Sequence, residues 1–383
     1  MVEEAPPGRR RFLFISNGHG EDWIAAAIVA RLSRSIEVEA YPMIGAGNAY
    51  TGACPIVGPR ATLASEGWRN VKGSLQRDLA NGGLKTIPPA LRFLRGIRGK
   101  YERIVVVGDV TGVLAAYATG HRDLIYLDVY KTGAARLYSA AERFVIKRAC
   151  KTVFSRADSL ARGLHDMGVD ARSAGNVMMD AIPRGAYDAA TRRSRPLAVT
   201  LLPGSRALTA ESFELQIDAL RTLPVDERPD IFLAVAGGIN IDDLAKKTGL
   251  RRTHMLSVES DDLGELSDGT LTVHMARGKA MGNLLDTSDL VMSQAGTATV
   301  QALGLGKPAI TFVNPRDRRS RFTDEQKLFG DARTVVPAEA SAIGAALRHL
   351  LGNDEERRRL GALGRQRIGG PGAMQAIVEA LEA

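Results

Sequence analysis

Residues 293–312 read SQAGTATVQALGLGKPAITF. A short apolar strand closes at Ser293, small residues turn the chain, a helical pattern begins near Gly296, and a β-branched strand returns at 309–313. Strand, turn, helix and strand in that order build a parallel sheet with helices on its faces. The same alternation continues in both directions. Strands are expected at 197–202, 231–236, 271–274 and 290–293, with a helix at 210–220. In the first half, 11–16 leads through NGHG into a helix where Ile24, Ala27, Ile28 and Leu32 recur at helical spacing. Further strands are expected at 36–40, 103–107, 124–127 and 151–154, whereas 45–83 resists assignment. The segment RGAYDAATRRSRP, 184–196, lacks an apolar pattern and reads as a linker. The fold class is therefore α/β, with doubly wound domains at 1–183 and 197–371 and a terminal helix at 372–383. Such domains bind ligands beyond the carboxyl ends of their strands, so a crevice where the two domains face each other is the default site.

A chain of 383 residues exceeds what one core usually organises. With 45% hydrophobic residues, 25% charged residues and a mean hydropathy of −0.09, it has material for sizeable cores. No apolar run approaches the roughly 20 residues of a membrane span, and the acidic start MVEEAPPG lacks a secretory pattern, so a cytoplasmic protein is expected. Cys54 and Cys150 are too few and too far apart for a metal cluster or a disulfide framework and read as buried, reduced thiols. Basic residues outnumber acidic ones by 51 to 43, and residues 1–185 hold 26 of the former and 17 of the latter. The first half thus carries the whole excess and is expected to face an anionic membrane surface rather than nucleic acid. Within 85–103, Arg92, Arg95 and Arg98 alternate with Phe93 and other apolar residues. That is either a helix lying in a membrane interface, where it would meet a lipid acceptor, or a helix packed on its own domain with a basic outer face.

Three turns carry the chemistry. LLPGSR, 201–206, follows a strand and precedes a helix; Gly204 lets a ligand approach the backbone, Ser205 offers its amide, and Arg206 puts a cation near a positive helix end, which is unfavourable unless an anion neutralises it. AVAGG places Gly237 after the next strand. In SQAGTAT, Gly296, Thr297, Ala298 and Thr299 supply amides and hydroxyls at another helix start. Each alone could be a tight connection, but three at corresponding strand ends favour a nucleoside diphosphate. Neither GxGxxG nor GxxxxGK[ST] occurs, so NAD binding and ATP hydrolysis are not favoured.

LLPGSR and SQAGTAT, preceded by SAGNVMMD at 173–180 and by the opening SNGHGED, resemble lipid-A-disaccharide synthase and its relatives, GT-B glycosyltransferases that use nucleotide sugars. The resemblance implies two Rossmann-like domains facing across a cleft, a UDP-sugar donor on the second, a lipid acceptor on the first, and a terminal helix crossing back. It also implies peripheral attachment to the inner face of the cell membrane, and metal-independent, inverting transfer without a cofactor. By position, Gly204, Ser205, Arg206 and 296–299 would meet the diphosphate. Gln301 stands where relatives commonly place a glutamate for the ribose hydroxyls, which puts donor identity in question. In TDEQKLFG, 323–330, Asp324 and Gln326 would contact the sugar, unless they are ordinary polar residues of a helix start.

Inverting transfer needs a base. Asp109, just past the strand at 103–107, roughly matches the family's catalytic aspartate and is favoured over His19 in the loop after the first strand; a strand-end aspartate also often caps the next helix. A nucleotide-sugar epimerase or hydrolase, or a nucleotide-binding relative without catalysis, are the competing readings, because one fold serves several functions.

Overall fold

The computed structural model describes residues 9–61, 86–204, 208–254, 261–313 and 319–383, leaving out the side chains of His19, His254 and 319–321. The chain forms two compact units, Met1–Ala181 with Pro371–Ala383, and Ile182–Gly370.

The first unit runs β1 (Arg11–Ser16), α1 (His19–Val29), β2 (Glu37–Pro42), α2 (Ile87–Gly96), β3 (Arg103–Gly108), α3 (Val110–Ala118), β4 (Leu124–Asp128), α4 (Ala140–Ala149), β5 (Cys150–Ser155), α5 (Asp158–His165), β6 (Asp170–Arg172) and α6 (Val177–Asp180). Its six strands pair in the order β2-β1-β3-β4-β5-β6, all parallel. The central strands are apolar at successive positions because helices cover both faces. Phe12, Phe14, Val105 and Val107 pack on one side, with residues of α1. Leu13, Ile15, Ile104 and Val106 pack on the other, with residues of α2 to α5.

The second unit runs β7 (Ala198–Leu202), α7 (Thr209–Arg221), β8 (Asp230–Val235), α8 (Ile241–Thr248), β9 (Arg251–His254), β10 (Asp262–Ser267), β11 (Thr272–Arg277), α9 (Ala280–Thr287), β12 (Leu290–Ser293), α10 (Thr297–Gly304), β13 (Ala309–Val313), α11 (Arg319–Phe329), β14 (Arg333–Pro337), α12 (Ala340–Gly352) and α13 (Asp354–Ile368). The sheet order is β14-β13-β12-β7-β8-β11-β10-β9, with β10 antiparallel to both neighbours and the other pairings parallel. Glycine lets α13 press on the end of α10: a Cβ at Gly361 would fall 2.3 Å from the Gly306 carbonyl oxygen, and one at Gly364 would fall 2.7 Å from that of Leu303.

Two stretches differ from expectation. Residues 184–196 are bound to the second unit rather than free as a linker. Arg184 grips Asp286 at 2.6 and 2.9 Å, Gly185 exchanges hydrogen bonds with the Asn283 side chain, and the Ser194 and Arg195 amides donate to Asp230 at 2.8 and 2.7 Å. A polar strap held by aspartates shows no hydrophobic period, which is why it reads as a linker. Residues 323–330, which the resemblance likened to a loop at the donor sugar, fall mainly in α11, the helical alternative. Cys54 and Cys150 are free and half-buried.

The terminal helix α14 (Ala373–Glu382) belongs to the first unit, where Met374, Ile377, Val378 and Leu381 join the core beside α1. Its ends are satisfied by distant side chains. Asp180 accepts from the Gly372 and Met374 amides at 2.7 and 2.9 Å, while Arg10 donates to the Glu382 and Leu381 carbonyls and Arg103 to that of Ala380. Acid at the amino end and cations at the carboxyl end both suit the helix dipole. Ile377→Ala is expected to cost the first unit about 2–5 kcal/mol by opening a cavity. Asp180→Ala should cost about 0.5–2 kcal/mol through the lost cap. Urea midpoints of the two variants check the ranking, and unchanged midpoints would mean that α14 does not hold this unit together.

Candidate functional site

In the second unit the chain leaves β7 toward β8 on one side and later returns to β12 on the other, so β7 is the topological switch point. Leu202 and Ser293 are register partners, and the Gln294 amide donates to the Leu202 carbonyl at 2.8 Å. The turns after β12, β7 and β8, three adjacent strands, therefore emerge along one edge. Gly204, at φ +102°, sits so that a Cβ would lie 3.7 Å from the Gln294 carbonyl oxygen. Ser205 and Arg206 fall outside the described residues. In the third turn Gly237 is exposed with open space around it, and the residue with the left-handed backbone is its neighbour Gly238, at φ +80°.

The helix start after β12 divides the predicted contacts. Gly296 is the N-cap of α10, and no side chain among the described residues caps it. Thr297 is exposed and Ala298 half-buried, so the first-turn amides meet the surface without an acid nearby in the helix. An uncapped positive end of this kind suits an anion. Thr299 does not contribute a hydroxyl: it is buried, donates to the Ala295 carbonyl and contacts Ser293 Oγ at 2.6 Å, so it holds the turn in shape. Gln301 is buried in α10, only 4% exposed.

Asp324 is half-buried on α11. Gln326, expected at a sugar, is committed internally. Its Nε2 donates to the Gly330 and Arg333 carbonyls at 2.9 and 3.2 Å, and its Oε1 accepts from Arg333 Nε at 2.9 Å. Arg333 is almost wholly buried, pairs with Glu325 at 3.0 Å and lies over the rings of Phe322 and Phe329. A buried guanidinium needs such partners. Gln326→Ala should accordingly lower stability with no ligand present, by about 1–3 kcal/mol. Thermal melts of the ligand-free protein check this; an unchanged melt would return Gln326 to the surface.

In the first unit the switch point lies between β1 and β3. Asp109 follows β3 and caps α3, its Oδ1 accepting from the Thr111 amide at 2.8 Å and from Asn17 Nδ2 at 3.1 Å. The loops after β1 and β3 are thereby joined. His19 opens α1, its side chain lying outside the described residues. Two groups here escaped the sequence reading. Asp22, in the first turn of α1, is buried and accepts from Ser16 Oγ at 2.6 Å, with Ser16 also 2.7 Å from Tyr50 Oη. Asp128 ends β4, where it accepts from the Tyr130 and Lys131 amides at 2.9 and 3.0 Å and from Tyr138. Burial pushes its carboxyl above the usual range despite those donors. The signal that found Asp109, a carboxylate just past an apolar strand, was equally present at Asp128.

The basic stretch behaves in two ways. Phe93 is half-buried: its ring packs 4.8 Å from that of Tyr41, with Leu94 and Ile97 buried alongside. Arg98 donates to the Thr119 carbonyl at 2.5 Å, at the carboxyl end of α3. Arg92 and Arg95 point outward. The layer formed by α2, α3 and α4 also exposes Ile87, Leu114 and Phe144, and Leu137 just before α4, beside Arg143, Lys147 and Arg148. Glu142 is the acid within these three helices, and Lys131 occupies it at 2.8 Å. No helix among the described residues is long and apolar enough to cross a membrane.

No family model matches the chain, and no curated protein matches its sequence. Solved structures do match along nearly its whole length. UDP-GlcNAc 2-epimerase from Neisseria meningitidis, bound to UDP-GlcNAc, superposes with a TM-score of 0.58 at 12% identity over 97% of this chain and 99% of that one. The glycosyltransferase SnogD from Streptomyces nogalater gives 0.52 at 18% identity over 98% and 100%. UDP-GlcNAc 2-epimerase from Methanocaldococcus jannaschii gives 0.53 at 13% over 97% and 99%. The chain therefore has the α/β fold of GT-B type epimerases and glycosyltransferases, with two Rossmann-like units.

Proposed function

We propose that this protein is an enzyme of nucleotide sugars, with a UDP-sugar held by the second unit and its sugar transferred to a lipid acceptor at a membrane face. The observation that carries the reading is the meeting of three glycine-bearing turns at adjacent strands β12, β7 and β8, with the α10 start uncapped beside Gly204. Backbone amides there suit a diphosphate. Solved structures of the same fold include one bound to UDP-GlcNAc.

In the transfer, an acceptor hydroxyl oxygen bonds to the anomeric carbon while the carbon–oxygen bond to the diphosphate breaks. The bonding pair leaves with UDP, and the hydroxyl proton passes to a base. Asp109 is the candidate, with His19 as the rival. Asp109→Asn keeps an Oδ1 for the Thr111 amide and so preserves the cap of α3 while removing the base. Turnover should fall about 10²-fold to 10⁴-fold with donor binding retained. A dead His19→Ala beside a fully active Asp109→Asn would reverse the assignment.

The membrane part rests on the outward face of α2 to α4, where exposed apolar side chains stand among arginines and lysine with little acid. Such a face suits anionic lipid. Sedimentation with anionic vesicles should weaken as salt rises and fall when Arg92, Arg95 and Phe144 are replaced by Gln, Gln and Ser. Equal sedimentation of the variant would remove this face from the reading.

A second reading is a UDP-sugar epimerase, favoured by the full-length likeness to two UDP-GlcNAc 2-epimerases. Incubation with radiolabelled UDP-sugars, with and without native lipid extract, separates the two. Label entering lipid supports transfer. A sugar altered while still on UDP, without any acceptor, supports epimerisation.

A further inference from the structure

Arg156 follows β5 directly, one residue beyond Ser155, whose register partner on β4 is Asp128. It is half-buried, and its Nη2 is sealed from solvent without a hydrogen-bond partner. Among the described residues the guanidinium makes no hydrogen bond and no ion pair. Burial draws its pKa down to about 10. The charges that act on it are Asp128 and Arg136, of opposite effect. Asp128 does not serve as its partner, since its Oδ1 takes two amides and its Oδ2 takes Tyr138. Lys131 is likewise committed, to Glu142 and the Leu137 carbonyl. Arg136 stands over the Tyr130 ring.

Arginine nitrogens shut off from water are ordinarily paired, because a donor left without a partner there costs free energy, and Arg156 Nη2 is such a donor although the side chain as a whole is half-buried. This one stands at the carboxyl end of a parallel strand, the edge where open α/β sheets bind ligands. Two residues later α5 begins; its N-cap, Ala157, offers no side-chain cap, and the acid of its first turn, Asp158, is exposed and paired with Arg162 at 3.0 Å. The Tyr130–Arg136 loop is seated here as well: a Cβ on Gly133, at φ +74°, would fall 2.6 Å from Ala157 Cβ. An arginine with five donors and no acceptor, beside an uncapped helix start, is chemically matched to an oxyanion that can take two donors at once.

We propose that Arg156 is the anchor of an anion-binding site in the first unit, at the β5–α5 turn, taking a phosphoryl group of the molecule that this unit binds. The assignment uses nothing from the nucleotide-sugar reading and stands whichever reaction the protein performs.

The test compares full-length protein with Arg156→Met and Arg156→Lys, using thermal melts during titration with inorganic phosphate and, separately, with vesicles containing phosphatidic acid. If the arginine awaits an anion, Arg156→Met should melt at or above the wild-type temperature without ligand, because it removes an unpaired buried charge. It should also weaken the phosphate response at least about tenfold, and Arg156→Lys should keep part of that response. A phosphate site elsewhere would survive in the methionine variant, so the quantity read is the part lost. Loss confined to inorganic phosphate identifies a soluble ligand, and loss extending to phosphatidic acid identifies a lipid-borne one; both support the site. A methionine variant that melts lower and responds to both probes like wild type overturns it and makes Arg156 structural. UDP binding measured on the same samples reads the second unit separately, so failure of either assignment leaves the other visible.

Discussion

The pairing of Leu202 with Ser293, on strands almost a hundred residues apart, decides where chemistry can occur in the second unit. It places the reversal of strand order at β7, and with it the turns after β7 and β12 within van der Waals reach. Shifting that register by one residue would also carry every side chain of the strand to the opposite face of the sheet, and both faces are buried here, so the site cannot be altered without disturbing the core. Glycines on α13 serve the same end from behind, by letting one helix backbone rest on the carbonyls that close α10. Packing at one end of a short helix thus aims the free amides at its other end.

Central strands were legible because helices cover both of their faces and leave them apolar. The bounds expected for 290–293 and 309–313 agree with the structure residue for residue. Among the peripheral strands β2 was legible, expected at 36–40, while others were not. Asp170–Arg172, Arg251–His254 and Asp262–Ser267 are short or polar and lie at or near a sheet edge, where solvent removes the hydrophobic signal. At the candidate site the strand-end turns were legible because a backbone turn constrains residue type: Gly204 has the left-handed backbone, as Gly238 does one residue beyond Gly237. Side-chain roles were less legible: Gln326 and Thr299 have donors and acceptors suited to a sugar or phosphate, yet both spend them on neighbouring backbone. Nothing in a linear pattern separates a hydroxyl that faces a ligand from one that closes its own turn.

The first unit shows the complementary case. Hydrogen bonds between buried polar groups, Ser16 to Asp22 Oδ1 and to Tyr50, and the set around Asp128, hold its strand ends together. Against that background an unmatched guanidinium stands out as a departure from local economy, and departures of this sort concentrate where a protein meets something else. The basic excess of the first half likewise divides by role once the structure is known. Some arginines satisfy carbonyls at helix ends, as Arg10, Arg98 and Arg103 do, while others remain on the outer face of α2 and α4.

The central claim is that three turns of the second unit act together on one diphosphate. Hydrogen exchange followed by mass spectrometry, with and without UDP, tests it most directly. The account predicts that backbone amides at Gly204, 236–240 and 294–299 slow together on addition of UDP, while those of α11 around Gln326 are unaffected. Slowing at one of these turns alone, or at none of them, would contradict it.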